Sequence, residues 1–148
     1  MKNRQTLIWS IIVVLLLAFT AFWFIGHRAP TLEAVPASVT ASGANFIVRN
    51  RSMHTISYCD YHFRIQQLVD GNWESIPSQV RFPAHIRNPL RLFERQTFEI
   101  NWESIYGQLP PGEYRLSIMV YGIRSPFSIS RIPGAMRIYA PFVVEETP

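Results

Sequence analysis

The sequence predicts an all-β, antiparallel sandwich of about seven strands, preceded by one N-terminal transmembrane helix. Three observations predict this fold. Residues 7–25 contain no charged residue, Pro or Gly. After residue 36, apolar residues recur at every second position, which is typical of strands with one buried face. Turn residues separate these stretches, and the 14% aromatic content argues against a disordered chain.

The apolar run is long enough to cross a membrane as a helix. Over residues 7–25 such a helix would measure about 28 Å, close to the roughly 30 Å hydrocarbon core of a bilayer. Thirteen of its 19 residues are Leu, Ile, Val or Phe. Lys2 and Arg4 before the run outweigh Arg28 behind it, which favours a cytoplasmic N-terminus. We therefore expect the lipid bilayer to be a partner of residues 7–25.

A cleaved signal peptide is the alternative interpretation of the same run. Signal peptides have a shorter apolar core, about 7–15 residues, followed by small residues at the cleavage site. Here Phe19 and Phe24 occupy positions where a small side chain would be needed. We therefore expect an uncleaved signal anchor in the cell membrane. The expected organisation is a cytoplasmic N-terminus, an anchor, a tether and an extracytoplasmic β-domain, at residues 1–6, 7–25, 26–36 and 37–148.

Alternating apolar positions predict the strands in chain order. A short strand is expected over residues 38–41, and residues 102–106 allow one helical turn. Asp70-Gly71-Asn72 predicts a hairpin. Pro111 and Gly112 fit a type II turn, in which Gly112 would supply a positive φ. The alternating apolar series are Phe46 and Val48; Tyr61, Phe63 and Ile65; Phe98, Ile100 and Trp102; Tyr114, Leu116, Ile118 and Val120; and Ile138, Ala140, Phe142 and Val144.

The stretch Leu-Pro-Pro-Gly-Glu-Tyr-Arg at residues 109–115 resembles the corner before the penultimate strand of immunoglobulin-like and fibronectin-type domains. In that corner a Tyr, here Tyr114, bonds back to the preceding turn. Further matching stretches are Thr31-Leu32-Glu33 through Asn50, residues 71–77, Asn101-Trp102 with Tyr106-Gly107, and residues 140–144.

Together these stretches, over about residues 31–145, resemble one bacterial immunoglobulin-like (Ig-like) family. Its members occur on secreted, lipid-attached or membrane-tethered proteins of Gram-positive bacteria. The resemblance implies an Ig-like or fibronectin-type antiparallel sandwich at the cell envelope. It implies no catalytic residues.

Cysteine, histidine and charge counts disfavour several functions. Cys59 is the single cysteine, so a disulfide framework cannot form within the chain. Cys59 and His62 are three apart on an expected strand and would face opposite sides, which argues against a metal site. No Gly-x-Ser-x-Gly motif occurs. Beyond residue 28, eleven Arg stand against ten acidic residues, a balance that does not favour nucleic acid. We expect no enzyme activity, no cofactor and no metal.

Three aromatic residues have two interpretations. Trp73, Trp102 and Tyr106 could form a flat platform for sugar rings, because aromatic faces stack on them. Trp73 and Trp102 also stand at positions expected to face inward, where a sandwich core needs large residues. Core packing is the preferred interpretation.

One basic stretch is a candidate contact for an anionic ligand. Its members are Arg81, His85, Arg87, Arg91 and Arg95. Only Glu94 opposes them, and two prolines favour an irregular, exposed conformation. Arg binds phosphate and carboxylate through paired hydrogen bonds, so lipid headgroups, an anionic envelope polymer or an acidic protein are candidate partners. A solvated loop beside an edge strand is the alternative.

A long connection near the C-terminus is a candidate protein contact. Thirteen residues, 122–134, exceed the usual length of a hairpin loop. The apolar members are Ile123, Phe127, Ile129 and Ile132. They would either form a protein-contact surface or fold back over the core. The sequence as a whole thus predicts a non-enzymatic binding or scaffolding module at the cell envelope, with a passive structural ectodomain or, less favoured, an envelope enzyme as alternatives.

Overall fold

The structure, a computed structural model, describes residues 2–26, 28–78, 87–122 and 135–146. These residues form one long helix, one short helix, one 3₁₀ turn and eight strands. The helices are α1 (Lys2–Gly26) and α2 (Glu103–Tyr106), and a 3₁₀ turn covers Pro36–Ser38. The strands are β1 (Thr31–Ala34), β2 (Gly43–Arg49), β3 (Ile56–Val69), β4 (Asn72–Ser75), β5 (Asn88–Leu90), β6 (Arg95–Asn101), β7 (Gly112–Gly122) and β8 (Ala135–Val144).

Helix α1 contains the apolar run. The structure describes the side chains of residue 5 and residues 8–20 within it, and all of them are exposed. In the described part of the chain, no helix was found that is both long and apolar enough to cross a membrane. The membrane-spanning role of residues 7–25 therefore stays a prediction.

The strands form two antiparallel sheets, so the predicted β-sandwich class is confirmed. The three-stranded sheet has the order β1-β2-β6. The five-stranded sheet has the order β4-β3-β7-β8, and β5 pairs with the first residues of β3. Buried and half-exposed residues alternate strictly along β2, as the sequence pattern predicts.

An aromatic cluster joins the two sheets. The ring of Phe142 on β8 lies 5.9 Å from Phe46, 5.2 Å from Trp102 and 5.6 Å from Tyr114, measured between centroids. Trp102 is fully buried, and its Nε1–H donates to the Ala41 carbonyl at 2.8 Å. Each such aromatic pair contributes about 0.5–1.5 kcal/mol beyond the area it buries. The cluster holds one sheet against the other.

The corner before β7 ties the turn to the core. The Tyr114 hydroxyl donates to the Pro110 carbonyl at 2.7 Å, and burial raises the pKa of Tyr114. The expected positive φ at Gly112 is wrong, because among the described glycines only Gly71 and Gly107 have one. Gly112 instead begins β7 beside the ring of Tyr114, where an added Cβ would lie 3.4 Å from the ring edge.

The hairpin between β3 and β4 has the predicted turn chemistry. Asp70 and Gly71 have φ values of 50° and 80° and form a two-residue connection. The first strand was expected over residues 38–41, but the structure places β1 at Thr31–Ala34, inside the expected tether. Prolines at 30 and 36 bracket this short strand, and an edge strand tolerates prolines at its ends.

The corner hydrogen bond makes a prediction for Tyr114→Phe. This variant should lose about 1 kcal/mol or more of unfolding free energy, because the Pro110 carbonyl loses its partner. Urea unfolding followed by circular dichroism measures the loss. Tyr139→Phe is the matched control, since Tyr139 is 44% exposed, and it should change stability by less than about 0.5 kcal/mol. Equal losses in the two variants would contradict the corner.

A second prediction concerns alkaline pH. The Tyr58 hydroxyl donates to Gln96 Oε1 at 3.0 Å. Burial, and then the charges of Asp60 and Glu94, raise its pKa from 10.0 to about 12. The folded chain therefore keeps this proton to higher pH than the unfolded chain. The contribution of the Tyr58 hydroxyl to the free energy of unfolding is complete below pH 10 and is lost as the pH rises to about 12.

Tyr58→Phe should remove that part of the pH dependence. Unfolding free energies of wild type and Tyr58→Phe, measured by urea titration at a series of alkaline pH values, should follow different slopes above pH 10. Curves that stay parallel throughout this range would show that Tyr58 does not carry the effect.

Candidate functional site

A basic cleft lies on the outer face of the three-stranded sheet, at the end where β1 begins. Its volume is about 460 Å³. We call it the arginine cleft. The residues that line it are Arg28, Thr31, Glu33, Arg49, Asn50, Arg51, Phe93 and Arg95.

Strand register brings the central residues of the arginine cleft together. Thr31 on β1 lies opposite Arg49 on β2, and Arg49 lies opposite Arg95 on β6. Their neighbours Leu32 and Val48 are buried. Since side chains alternate along a strand, Thr31, Arg49 and Arg95 share the outer face in one row across three strands.

The described lining of the arginine cleft is strongly positive, with four Arg and one Glu. Glu33 Oε2 lies 3.7 Å from Arg49 Nη2, and both side chains are about half exposed. An exposed pair of this kind contributes only about 0–1 kcal/mol. Arg49 and Arg95 face each other directly, and like charges in that arrangement destabilise a sheet. An anion between them would offset this repulsion.

Among the residues that the structure describes, two polar atoms in the cleft wall have no hydrogen-bond partner. They are Arg49 Nε, a donor, and Thr31 Oγ1, which both donates and accepts; each is buried. A buried polar group left unpaired costs about 1–3 kcal/mol. Because solvent does not reach either atom, an anion in the cleft would bind the exposed parts of the arginine side chains instead; the Arg49 side chain is 43% exposed.

Asn50 holds the far wall of the arginine cleft in place. It is 1% exposed, and its Nδ2 lies 2.6 Å from the His54 carbonyl, 3.2 Å from that of Leu90 and 2.9 Å from that of Arg91. Two protons thus serve three carbonyls. Its Oδ1 accepts from the Ser52 amide and hydroxyl at 3.0 and 2.7 Å. The amide side chain therefore joins the segment after β2 to the segment before β6.

The turn between β5 and β6 forms one rim of the cleft. The Arg91 amide donates to Glu94 Oε2 at 2.6 Å, and the Glu94 amide donates to the Arg91 carbonyl at 3.2 Å. Phe93 has a φ of 56°, which is uncommon for a residue other than Gly. Leu92 and Phe93 are 48% and 57% exposed. Two large apolar side chains therefore project from this turn beside the arginines.

The predicted basic stretch divides between the two sheets. Arg95 lines the arginine cleft. Arg87 lies over the Tyr121 ring, 4.1 Å from its centroid, next to the five-stranded sheet, and Arg91 lies in the exposed turn. The division arises because β5 pairs with β3 whereas β6 pairs with β2. Arg81 and His85 lie outside the described residues.

The other predicted contact also falls outside the description of the structure. Its residues are Ile123, Phe127, Ile129 and Ile132.

In the described ranges, no group of three or more His, Cys, Asp or Glu could hold a metal. Cys59 is buried.

The expectation that Trp73 faces inward is wrong. Trp73 pairs with Leu68 on the outer face of the five-stranded sheet, where the Arg115 guanidinium lies 4.5 Å from its ring. The same guanidinium lies 4.5 Å from the Tyr139 ring. Because Trp102 is fully buried in the core, Trp73, Trp102 and Tyr106 do not form one platform.

Sequence reasoning missed Arg28, Arg49 and Arg51 as site residues. They are far from Arg95 in sequence, and only the pairing of β1 with β2 and of β2 with β6 brings them near it. The sequence singles out Asn50 only as the last residue of a stretch that resembles the Ig-like family. The outward position of Arg49, next to buried Val48, is the signal that could have identified it.

One comparison with known proteins, that with family models, supports the fold. A family model described as a bacterial Ig-like domain matches residues 30–128, more than half of the chain. Among solved structures, the ASH/PapD-like domain 7 of human CEP192 is similar at 12% identity and a TM-score of 0.34, covering 80% of this chain and 87% of that one.

A second similar structure is titled "AvmM Catalyzes Macrocyclization in Alchivemycin A Biosynthesis". It has 15% identity and a TM-score of 0.36, and the match covers 83% of this chain and 91% of that one. With TM-scores this low, the two structures carry no argument about this chain. No curated protein matches.

The hydrogen bonds of Asn50 make a prediction. Asn50→Ala should lower the unfolding free energy by about 2–4 kcal/mol, since three backbone carbonyls and the Ser52 donors lose a partner together. Urea unfolding measures the loss. Asn72→Ala is the matched control, because Asn72 is exposed and its side chain makes a single 3.5 Å contact. A loss no larger than that of Asn72→Ala would show that Asn50 does not hold the cleft wall.

Proposed function

The chain belongs to the bacterial Ig-like domain family, and from that premise we propose that it is a membrane-anchored binding or scaffolding module of the cell envelope. The proposal includes a Gram-positive envelope, a single-pass anchor and no enzymatic activity. Its partners would be an envelope protein or an anionic envelope polymer or headgroup. Nucleic acid is not among them.

The anchor is supported by the sequence and by the length of the connection. Residues 7–25 lack charge, and the helix that contains them ends at Gly26. Four residues separate α1 from β1. Lys2 and Arg4 favour a cytoplasmic N-terminus, which would put the β-domain on the outer side. A domain on so short a connection would stay next to the membrane surface.

The arginine cleft is the observation that favours binding over a passive role. Its described lining has a formal charge of +3, from four Arg and one Glu. Two of its buried polar atoms have no hydrogen-bond partner in the described part of the chain. Repulsion between Arg49 and Arg95, which lie opposite each other, destabilises the sheet, so a structural domain gains nothing from this arrangement. An anionic partner would offset the repulsion.

The anchor makes a prediction for the intact chain. Expressed in a Gram-positive host, the full chain should remain in the membrane pellet after alkaline carbonate washing. Protease added to protoplasts should degrade the β-domain. A variant lacking residues 7–25 should be absent from the pellet, which makes it the matched control. N-terminal sequencing should find residues before Leu7. Release of the full chain by carbonate, or a mature N-terminus near Ala29, would contradict the anchor.

A further inference from the structure

We infer that the arginine cleft and the turn at residues 91–94 form a membrane-docking surface that binds phosphate groups of anionic lipid headgroups. The inference rests on the proposed anchor, since it assigns the occupant of the cleft to the membrane that would hold α1. It adds a second contact with that membrane, made by the β-domain itself.

The turn presents an apolar tip to solvent. Leu92 and Phe93 are adjacent, 48% and 57% exposed, and stand at the tip between β5 and β6. Phe93 keeps a φ of 56°, while hydrogen bonds between Arg91 and Glu94 and from Asn50 hold the turn closed. Strained residues in a well-held turn occur where function requires a fixed position. Apolar side chains next to basic ones are typical of segments that lie at a membrane interface.

Basic side chains surround this apolar tip. Arg91 and Arg95 flank the turn in sequence, and Phe93 lines the arginine cleft together with Arg28 and Arg49. The guanidinium group fits phosphate with paired hydrogen bonds, and juxtamembrane basic groups are attracted to anionic lipid. Apolar insertion and charge attraction would therefore act at the same place on the domain.

The row Thr31, Arg49 and Arg95 fits the phosphate itself. The Arg49 side chain is 43% exposed and Arg95 is exposed, so a phosphate in the cleft can reach both guanidinium groups. A phosphate between Arg49 and Arg95 would replace the repulsion of two facing cations with attraction to a shared anion. Glu33, 3.7 Å from Arg49, is the acidic group on the described lining, and it would have to compete with the phosphate for that guanidinium.

The connection to α1 keeps the cleft within reach of headgroups. Arg28 is two residues beyond Gly26, the last residue of α1, and Thr31 is five residues beyond it. An extended chain spans at most about 3.3–3.6 Å per residue, so Thr31 lies within roughly 18 Å of the end of the helix. A short connection also gives a high effective concentration of headgroups at the cleft, so even a weak phosphate site would be occupied.

The test uses the full chain in lipid nanodiscs, with hydrogen exchange of the backbone amides as the readout. Discs of phosphatidylcholine are compared with discs that also contain phosphatidylglycerol. The inference predicts that amides of residues 49–52 and 91–95 exchange at least tenfold more slowly with phosphatidylglycerol present. Moderate salt should reverse part of this protection, because the attraction is screened.

Matched variants separate the cleft from net charge. Arg49→Gln with Arg95→Gln, and Leu92→Ser with Phe93→Ser, should each lose the protection. Arg64→Gln with Arg137→Gln removes the same charge from the five-stranded sheet and should keep it. If the cleft pair fails to fold, Arg28→Gln, which lies outside the strands, carries the test and should reduce the protection about threefold.

The outcomes distinguish the possible failures. Equal exchange in the two kinds of disc overturns the docking inference and leaves the anchor standing. A full chain that does not enter discs of either kind overturns both. Protection in phosphatidylcholine discs on adding inorganic phosphate at the concentration of the lipid headgroups would show a site for free phosphate and overturn the membrane assignment. If the Arg64→Gln/Arg137→Gln control loses the protection equally, the protection depends on net charge alone. That result would overturn the assignment of the cleft as the binding site.

Discussion

Packing of one aromatic cluster between the sheets decides which side chains of this domain meet solvent. Phe142 contacts Phe46, Trp102 and Tyr114, which fixes the inward face of each strand. Because strand side chains alternate, burying Phe46 and Val48 turns Arg49 outward. A register slip of one residue would bury that charge, so the core strongly specifies the register. The arginine cleft is thus a direct consequence of the core.

The cleft combines features that a purely structural surface would avoid. Two arginines face each other across β2 and β6, and within the described residues Arg49 Nε and Thr31 Oγ1 of the same row have no hydrogen-bond partner. The buried amide of Asn50 nevertheless holds the adjoining turn in a defined conformation, including the positive φ of Phe93. A rigid wall next to the arginines is a preorganised arrangement, which lowers the conformational cost of binding an anion.

Local patterns in the sequence were sufficient for the sandwich, the Asp70-Gly71 turn and the Tyr114 corner, since each depends on neighbouring residues. Local patterns do not predict features that depend on the pairing of strands far apart in sequence. Strand β4 has four residues, too few for an alternating pattern to show which face is inward. The sequence therefore predicts the wrong side of the sheet for Trp73. The site itself arises from the pairing of β2 with β6, which brings Arg49 opposite Arg95 across 46 positions of sequence.

The most direct test of the account is a double-mutant cycle between Arg49 and Arg95. The free energy of unfolding of the β-domain is measured for the full chain, both Gln single variants and the double variant. In phosphatidylcholine discs the coupling should be repulsive, since the two cations face each other without an anion. In discs with phosphatidylglycerol the sign should reverse, because a shared phosphate attracts both. A coupling that is zero, or the same in both kinds of disc, would contradict the account.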